Sequence, residues 1–141
     1  PYIVKGMDLS YSGLLTAAIK ARENGNKLED VCFSLQEVSF AMLTEVTERA
    51  LAHTEKKSVL LTGGVAANSR LQEMLKLISE EHDATFHVVR RDLAGDNGAM
   101  IAWTGLLLHE HGLKTHLNES QVNPKWRLDQ IYIPWTMEET S

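Results

Sequence analysis

The sequence predicts an α/β protein, because two short apolar strands alternate with amphipathic helices in the second half of the chain. Apolar runs at residues 58–62 and 85–89 each precede a glycine-containing loop and a segment of helical periodicity. A crossover helix between the two strands makes them parallel and connects them in a right-handed sense. Both loops are then expected at the carboxyl edge of one sheet, where α/β proteins bind ligands.

Two helices are predicted ahead of the strands. The first covers residues 10–23, where small and apolar side chains recur at helical spacing, with Ser10 or Ser12 as its cap. The tripeptide at residues 24–26 (NGN) ends it. The second helix is the strongest in the chain, because apolar residues recur in steps of three and four from position 28 to 51, and it is expected to end near residues 54–56.

The remaining elements follow from the same patterns. They are a strand at 58–62, a helix at 67–81, a strand at 85–89, a helix at 98–110 and a short strand from Gln130 to Ile133, followed by a polar tail or linker start at 136–141. Two or three strands are few for a free-standing sheet. Either the tail strand completes the sheet or further strands lie upstream of Pro1, and we favour the second interpretation, in which the chain is part of a longer polypeptide.

Composition bounds the class of protein. The 141 residues are 43% hydrophobic and 23% charged, as in a globular protein, and the net charge of −5 argues against a major phosphate-backbone binder. Cys32 is the single cysteine, so no internal disulfide is possible and an intracellular location is favoured. It is expected on the apolar face of its helix as a small buried hydrophobe. No apolar run reaches the roughly 18 residues of a membrane span, so no membrane association is expected.

The first loop contains Gly63, Gly64 and Asn68. It matches neither the dinucleotide fingerprint nor the phosphate-binding P-loop, and what remains is a tight turn whose backbone can closely approach a ligand. The glycines and the amide of Asn68 are therefore candidate nucleotide-binding groups. The alternative is structural, since Asn68 or Ser69 is also a good helix cap.

The second loop contributes a carboxylate, Asp96, as a candidate metal ligand. One carboxylate does not hold a metal, and the six histidines form no HExxH motif, so the other ligands are expected outside this chain. The alternative is again that Asp96 caps the helix that follows. No protease zinc motif is present, which argues against a metalloprotease.

Three motifs in this order resemble the C-terminal half of the TsaD/Kae family of tRNA threonylcarbamoyladenosine transferases. They are residues 7–14 (MDLSYSGL), 61–68 (LTGGVAAN) and 96–102 (DNGAMIA). The last motif, together with residues 123–127 (NPKWR), looks like the archaeal or eukaryal type of the family. The position after Leu14, often lysine in the family, is Leu15 here.

The resemblance implies an actin-like, RNase-H-like fold of two lobes, with residues 1–135 as the C-terminal lobe. It also implies transfer of a threonylcarbamoyl group from threonylcarbamoyl-AMP to the adenosine beside the tRNA anticodon. By motif match, Asn68 would contact ATP or the adenylate, Gly63 and Gly64 would line the pocket, and Asp96 would bind one catalytic divalent metal, iron or zinc.

The family's two histidine metal ligands belong to the N-terminal lobe and are absent here, so we expect the isolated chain to be inactive. The resemblance also implies a kinase-like subunit or fused kinase domain, other complex subunits, a tRNA substrate and a cytoplasmic location. Two alternatives remain open. One is another actin-like ATPase or carbamoyltransferase with a different acceptor, and the other is a non-catalytic subunit-docking module.

Overall fold

The computed structural model describes residues 1–95, 97–127 and 130–136. The chain divides into two compact units, Pro1–Gly95 and Asp96–Ser141. The described part contains four helices and four strands in addition to short 3-10 turns. In chain order these are β1 (Val4–Lys5), β2 (Asp8–Leu9), α1 (Leu14–Glu23), α2 (Leu28–Thr54), β3 (Ser58–Leu61), α3 (Ser69–Glu81), β4 (Thr85–Val88) and α4 (Gly98–Glu110).

The first unit begins with an antiparallel hairpin that the sequence did not predict. Strands β1 and β2 pair through Val4 opposite Leu9, with Gly6 at a positive φ of 62° in the turn. The hairpin is attached to α2, where Arg49 donates a hydrogen bond to the carbonyl of Gly6 at 2.9 Å. Its strands have two residues each, which is too short for an alternating apolar pattern to be seen.

Helix α1 begins four residues later than expected. Its N-cap is Gly13, at φ 81° and without a side-chain cap bond, so the prediction of Ser10 or Ser12 as the cap was wrong. The Ser10 hydroxyl instead accepts the backbone N–H of Ser12 at 3.2 Å, a local turn that competes with helix formation. The predicted break at residues 24–26 is confirmed, with Gly25 at φ 89°.

Helix α2 spans 27 residues and ends at Thr54, within the predicted region, and is followed by Glu55 in the left-handed conformation. One side of its first half lines a groove against α1, through Val31, Leu35 and Val38. Cys32 lies about a quarter turn around the helix from this side and is exposed, so its predicted burial was wrong. Phe33 beside it is 64% exposed.

The parallel pair of strands is confirmed, with β3 and β4 in register from Ser58 opposite Thr85 to Leu61 opposite Val88. Helix α3 connects them and buries Leu71, Leu75 and Ile78, which form the core together with side chains of α2 and of both strands. Helices α2 and α3 pack directly on each other, and α3 packs on the sheet, so the β3–α3 loop is held where these elements meet.

The second unit contains α4, at the predicted residues, followed by Gly112 at φ 78°. The strand predicted from Gln130 to Ile133 was wrong, since Gln130 has 3-10 conformation and residues 131–133 are irregular and lead into a 3-10 turn at Pro134–Thr136. A strand requires a hydrogen-bonded neighbour, and the described residues pair only in β1–β2 and β3–β4. The predicted tail beyond Thr136 lies outside the described residues. No helix in the described ranges has both the length and the apolar character to cross a membrane.

Candidate nucleotide site

The loop between β3 and α3 leaves the carboxyl end of its strand through Gly63, whose backbone adopts φ 95° and ψ 170°. This is a region of conformational space that only glycine enters without strain. Residues Gly64–Ala67 then make one 3-10 turn, which is why α3 begins at Ser69 and not at residue 67. Apart from the chain neighbours of each glycine, no atom of the described residues lies within 4 Å of a Cβ built on Gly63 or Gly64, so the backbone here is open to a ligand.

Asn68 joins this turn to α3 as its N-cap. The side-chain Oδ1 accepts the backbone N–H groups of Arg70 at 2.9 Å and Leu71 at 3.4 Å. The structural alternative is therefore confirmed for Asn68. Because backbone donors occupy Oδ1, the rotation of the amide is fixed and its nitrogen points away from the helix start.

The Asn68 amide nitrogen donates one hydrogen bond, to Oε1 of Gln36 on α2 at 3.2 Å. A primary amide carries two N–H groups, so one remains available for a ligand. Asn68 can therefore serve as a helix cap and a hydrogen-bond donor at once. Its predicted contact with a nucleotide stays a prediction, and so do those of Gly63 and Gly64.

An ion pair fixes the first turn of α3 to α2. Arg70 donates from Nε and Nη2 to the two carboxylate oxygens of Glu37, each at 2.9 Å, and from Nη1 to Glu73 at 2.8 Å. These hydrogen bonds lower the pKa of Glu37 below its ordinary value and raise the pKa of Arg70. These contacts attach the start of α3 to α2.

A cleft of about 350 Å³ lies at the same carboxyl edge of the sheet. One wall comes from the 3-10 turn and α3, and the other from the last residue of β4 and the residues that follow it. The lining residues are Ala66, Ala67, Gln72, Val88, Val89, Arg90, Arg91 and Ala94. Gln72 donates to the carbonyl of Ala66 at 2.6 Å, which ties the turn to its helix. Arg90 is paired with Asp92, so its charge is partly neutralised.

Asp96 lies outside the described residues, and its predicted role as a metal ligand stays a prediction. The helix that follows has Asn97 as its N-cap, whose side chain accepts the N–H of Met100 at 3.2 Å. Within the described ranges, no three His, Cys, Asp or Glu side chains come close enough to hold a metal ion.

Comparison with known proteins agrees with the motifs. The model of one family, described as TsaD: tRNA N6-adenosine threonylcarbamoyltransferase, matches residues 1–103. A "Probable bifunctional tRNA threonylcarbamoyladenosine biosynthesis protein" of Methanocaldococcus jannaschii is 55% identical over 138 residues, which are 98% of this chain and 26% of that protein. A "tRNA N6-adenosine threonylcarbamoyltransferase" of Archaeoglobus fulgidus is 56% identical over 135 residues, which are 96% of this chain and 42% of that protein.

A second bifunctional relative, from Methanobrevibacter smithii, is 52% identical over all 141 residues, which are 26% of its length. The chain therefore spans between about a quarter and two fifths of the relatives it matches. The family match includes the β3–α3 loop with Gly63, Gly64 and Asn68, and it also includes Asp96. From its sequence and from this match over 103 of its residues, the chain belongs to the TsaD family.

Proposed function

We propose that this chain is part of a tRNA N6-adenosine threonylcarbamoyltransferase and forms one side of its nucleotide site. The family match across residues 1–103 carries the proposal, since it includes both predicted ligand loops. The reaction would move a threonylcarbamoyl group from threonylcarbamoyl-AMP to the adenosine beside the tRNA anticodon. We further propose that the α/β unit with its parallel strands belongs to an actin-like lobe.

In this proposal the loop binds and orients the nucleotide. The open backbone at Gly63 and Gly64 lets a flat or charged group approach closely, because no side chain intervenes. The free N–H of Asn68 donates to an acceptor atom of the nucleotide, since its oxygen is already occupied by the helix start. Asn68 therefore acts as a hydrogen-bond donor to the nucleotide, and its oxygen does not accept a hydrogen bond from it.

The metal implied by the family does not fit the described residues by themselves. Iron and zinc require several nitrogen, sulfur or oxygen ligands, and the described residues provide no cluster of three. We propose that Asp96 provides one carboxylate and that the N-terminal lobe provides the histidines. A metal held in this way would supply Lewis-acid chemistry.

The proposal has consequences for partners. The chain would need the N-terminal lobe for activity, in the same polypeptide or as a separate one. Two of the relatives are named bifunctional and are about four times as long as this chain, which supports a second domain or subunit, proposed to be kinase-like. A tRNA-modifying enzyme of this type would work in the cytoplasm.

Replacing Asn68 in the full-length enzyme tests the proposal, because capping can be separated from donation. Asn68→Ser and Asn68→Asp both keep a capping oxygen but lose the amide N–H, and Ser adds no charge. We expect both variants to fold normally and to bind ATP or a threonylcarbamoyl-AMP analogue about tenfold more weakly in calorimetry, the value of one good hydrogen bond.

Transfer of threonylcarbamoyl to tRNA is measured with the same proteins. Wild-type affinity in both variants would mean that Asn68 is a helix cap and nothing more. Transfer to a sugar or small molecule in place of tRNA would favour the other carbamoyltransferase. Asp96→Ala provides a separate measurement, since unchanged metal content would remove Asp96 from the proposed ligand set.

A further inference from the structure

The side chain of Asn68 makes hydrogen bonds on two sides, and the partner on the second side is Gln36, which lies outside the three family motifs. Backbone donors of α3 fix the amide oxygen, and Gln36 of α2 accepts one of the two amide hydrogens at 3.2 Å. Both side chains are half-buried, so water competes less for this bond than at an open surface.

We propose that Gln36 is a positioning residue for the nucleotide, acting through Asn68. By accepting one N–H, Gln36 fixes the plane of the amide and leaves the second N–H as the group that meets an acceptor atom of the ligand. This inference rests on the proposed function, in which Asn68 contacts ATP or threonylcarbamoyl-AMP.

The fold has little need of this bond. The cap of α3 requires only the Asn68 oxygen, and α2 is already joined to α3 by two hydrogen bonds from Arg70 to Glu37 and by the core around Leu71. Gln36 makes no other side-chain hydrogen bond within the described residues. A contact that the fold does not require, on the side chain proposed to bind the nucleotide, favours a role in ligand orientation.

The neighbouring residue provides a matched control. Glu37 lies on the same helix turn and also reaches the start of α3, but it binds Arg70 and not Asn68. Removing the Glu37 carboxylate weakens the connection between the helices without touching the amide. Comparing variants of Gln36 and Glu37 therefore distinguishes the effect of orienting Asn68 from the effect of attaching α3 to α2.

The experiment compares Gln36→Met, Gln36→Glu and Glu37→Gln in the full-length enzyme. Methionine keeps the length and helix propensity but has no acceptor oxygen, whereas glutamate keeps the acceptor. We expect Gln36→Met to raise KM for threonylcarbamoyl-AMP and Kd for ATP about fivefold to tenfold, with kcat changed less than about twofold and an unchanged thermal midpoint. Gln36→Glu should restore most of the affinity, and Glu37→Gln should lower the thermal midpoint without changing KM.

Wild-type KM in Gln36→Met would overturn the inference, and so would a Gln36→Glu enzyme as impaired as Gln36→Met, because the acceptor would then be irrelevant. The double variant Gln36→Met, Asn68→Ser should bind no more weakly than Asn68→Ser alone. If Asn68→Ser binds normally, the proposed function of the loop fails. If Asn68→Ser is impaired and Gln36→Met is not, only the role of Gln36 fails.

Discussion

The chain contains two strand–loop–helix segments with similar local sequence signals and different surroundings. In the first, α3 carries one apolar face, buries Leu71, Leu75 and Ile78, and is connected to α2 by an ion pair and an amide contact. In the second, α4 is capped by Asn97 in the same way but has no buried residue. Both are helices of 13 residues that begin with an asparagine cap.

The difference lies in how the apolar residues are distributed. In α3 they occupy one stripe, which a single layer can cover. In α4 they surround the helix, and Ile101 and Trp103 are 73% and 61% exposed. A helix that is apolar on all sides is typical of helices that other parts of a protein bury on several sides. The proposed two-lobed fold would provide that cover.

The largest expected effect comes from removing the stripe of α3. Leu71 is 1% exposed and lies at the centre of the core, so Leu71→Ala removes buried carbon and leaves a cavity. We expect a loss of about 2–5 kcal/mol in the free energy of unfolding of this unit. Native-state hydrogen exchange of the α3 amides in the full-length protein measures it.

Leu77 on the same helix is the control. It is 58% exposed, so Leu77→Ala should change the protection of α3 by less than about 0.5 kcal/mol. Equal losses of protection in the two variants would show that α3 is covered on both sides. The described difference between α3, with one apolar face, and α4, which is apolar all round, would then not hold.

This contrast explains how much of the fold could be predicted. Helices α2, α3 and α4 and both parallel strands follow from apolar periodicity, which is a local property. The false strand at residues 130–133 shows the limit, because four residues rich in β-formers pair only if a neighbour is present. Cys32 shows a second limit, since periodicity gives an apolar face but does not say which part of it another helix covers.

The next effect concerns the loop that opens the first segment. Gly63 has φ 95°, a conformation that strains any residue with a Cβ, whereas Gly64 does not have a positive φ. Gly63→Ala should therefore cost about 1–3 kcal/mol or displace the loop, and Gly64→Ala, with open space at its Cβ, should cost well below that.

Thermal unfolding and ATP binding are measured together for the two variants in the full-length enzyme. Gly63→Ala should lower both stability and affinity. Gly64→Ala should leave stability unchanged, and any loss of affinity in it would then report a direct steric clash with the ligand. Equal stability of the two variants would contradict the conformation described for Gly63.

The candidate site divides in the same manner into local and distant parts. The cap by Asn68 was an alternative in the sequence, because capping depends on residues two and three positions away. Gln36 and Glu37 could not be recognised, since they reach their partners across 32 and 33 residues and occupy ordinary polar positions of a long helix. Only the packing of α2 on α3 brings them to the loop.

The smallest expected effect is a pH dependence that also separates the two segments. The hydrogen bonds from Arg70 lower the pKa of Glu37, and those from Arg90 lower the pKa of Asp92 in the second segment. A carboxylate with a lowered folded-state pKa stabilises the fold above its unfolded-state pKa, and this contribution is lost as the pH falls through the folded-state value. For Glu37 the loss should begin below the ordinary value of 4.5.

The two pairs differ in what they connect. Arg70 joins two helices that are distant in sequence, whereas Arg90 and Asp92 are two residues apart and can meet in the unfolded chain as well.

The thermal midpoint of wild type minus that of Glu37→Gln should be positive at pH 7 and shrink towards zero as the pH falls well below 4.5. The same difference for Asp92→Asn should be close to zero throughout, because an attraction present in both states cancels. A larger pH-dependent difference for Asp92 than for Glu37 would show that the loop before α4 is attached more firmly than the start of α3.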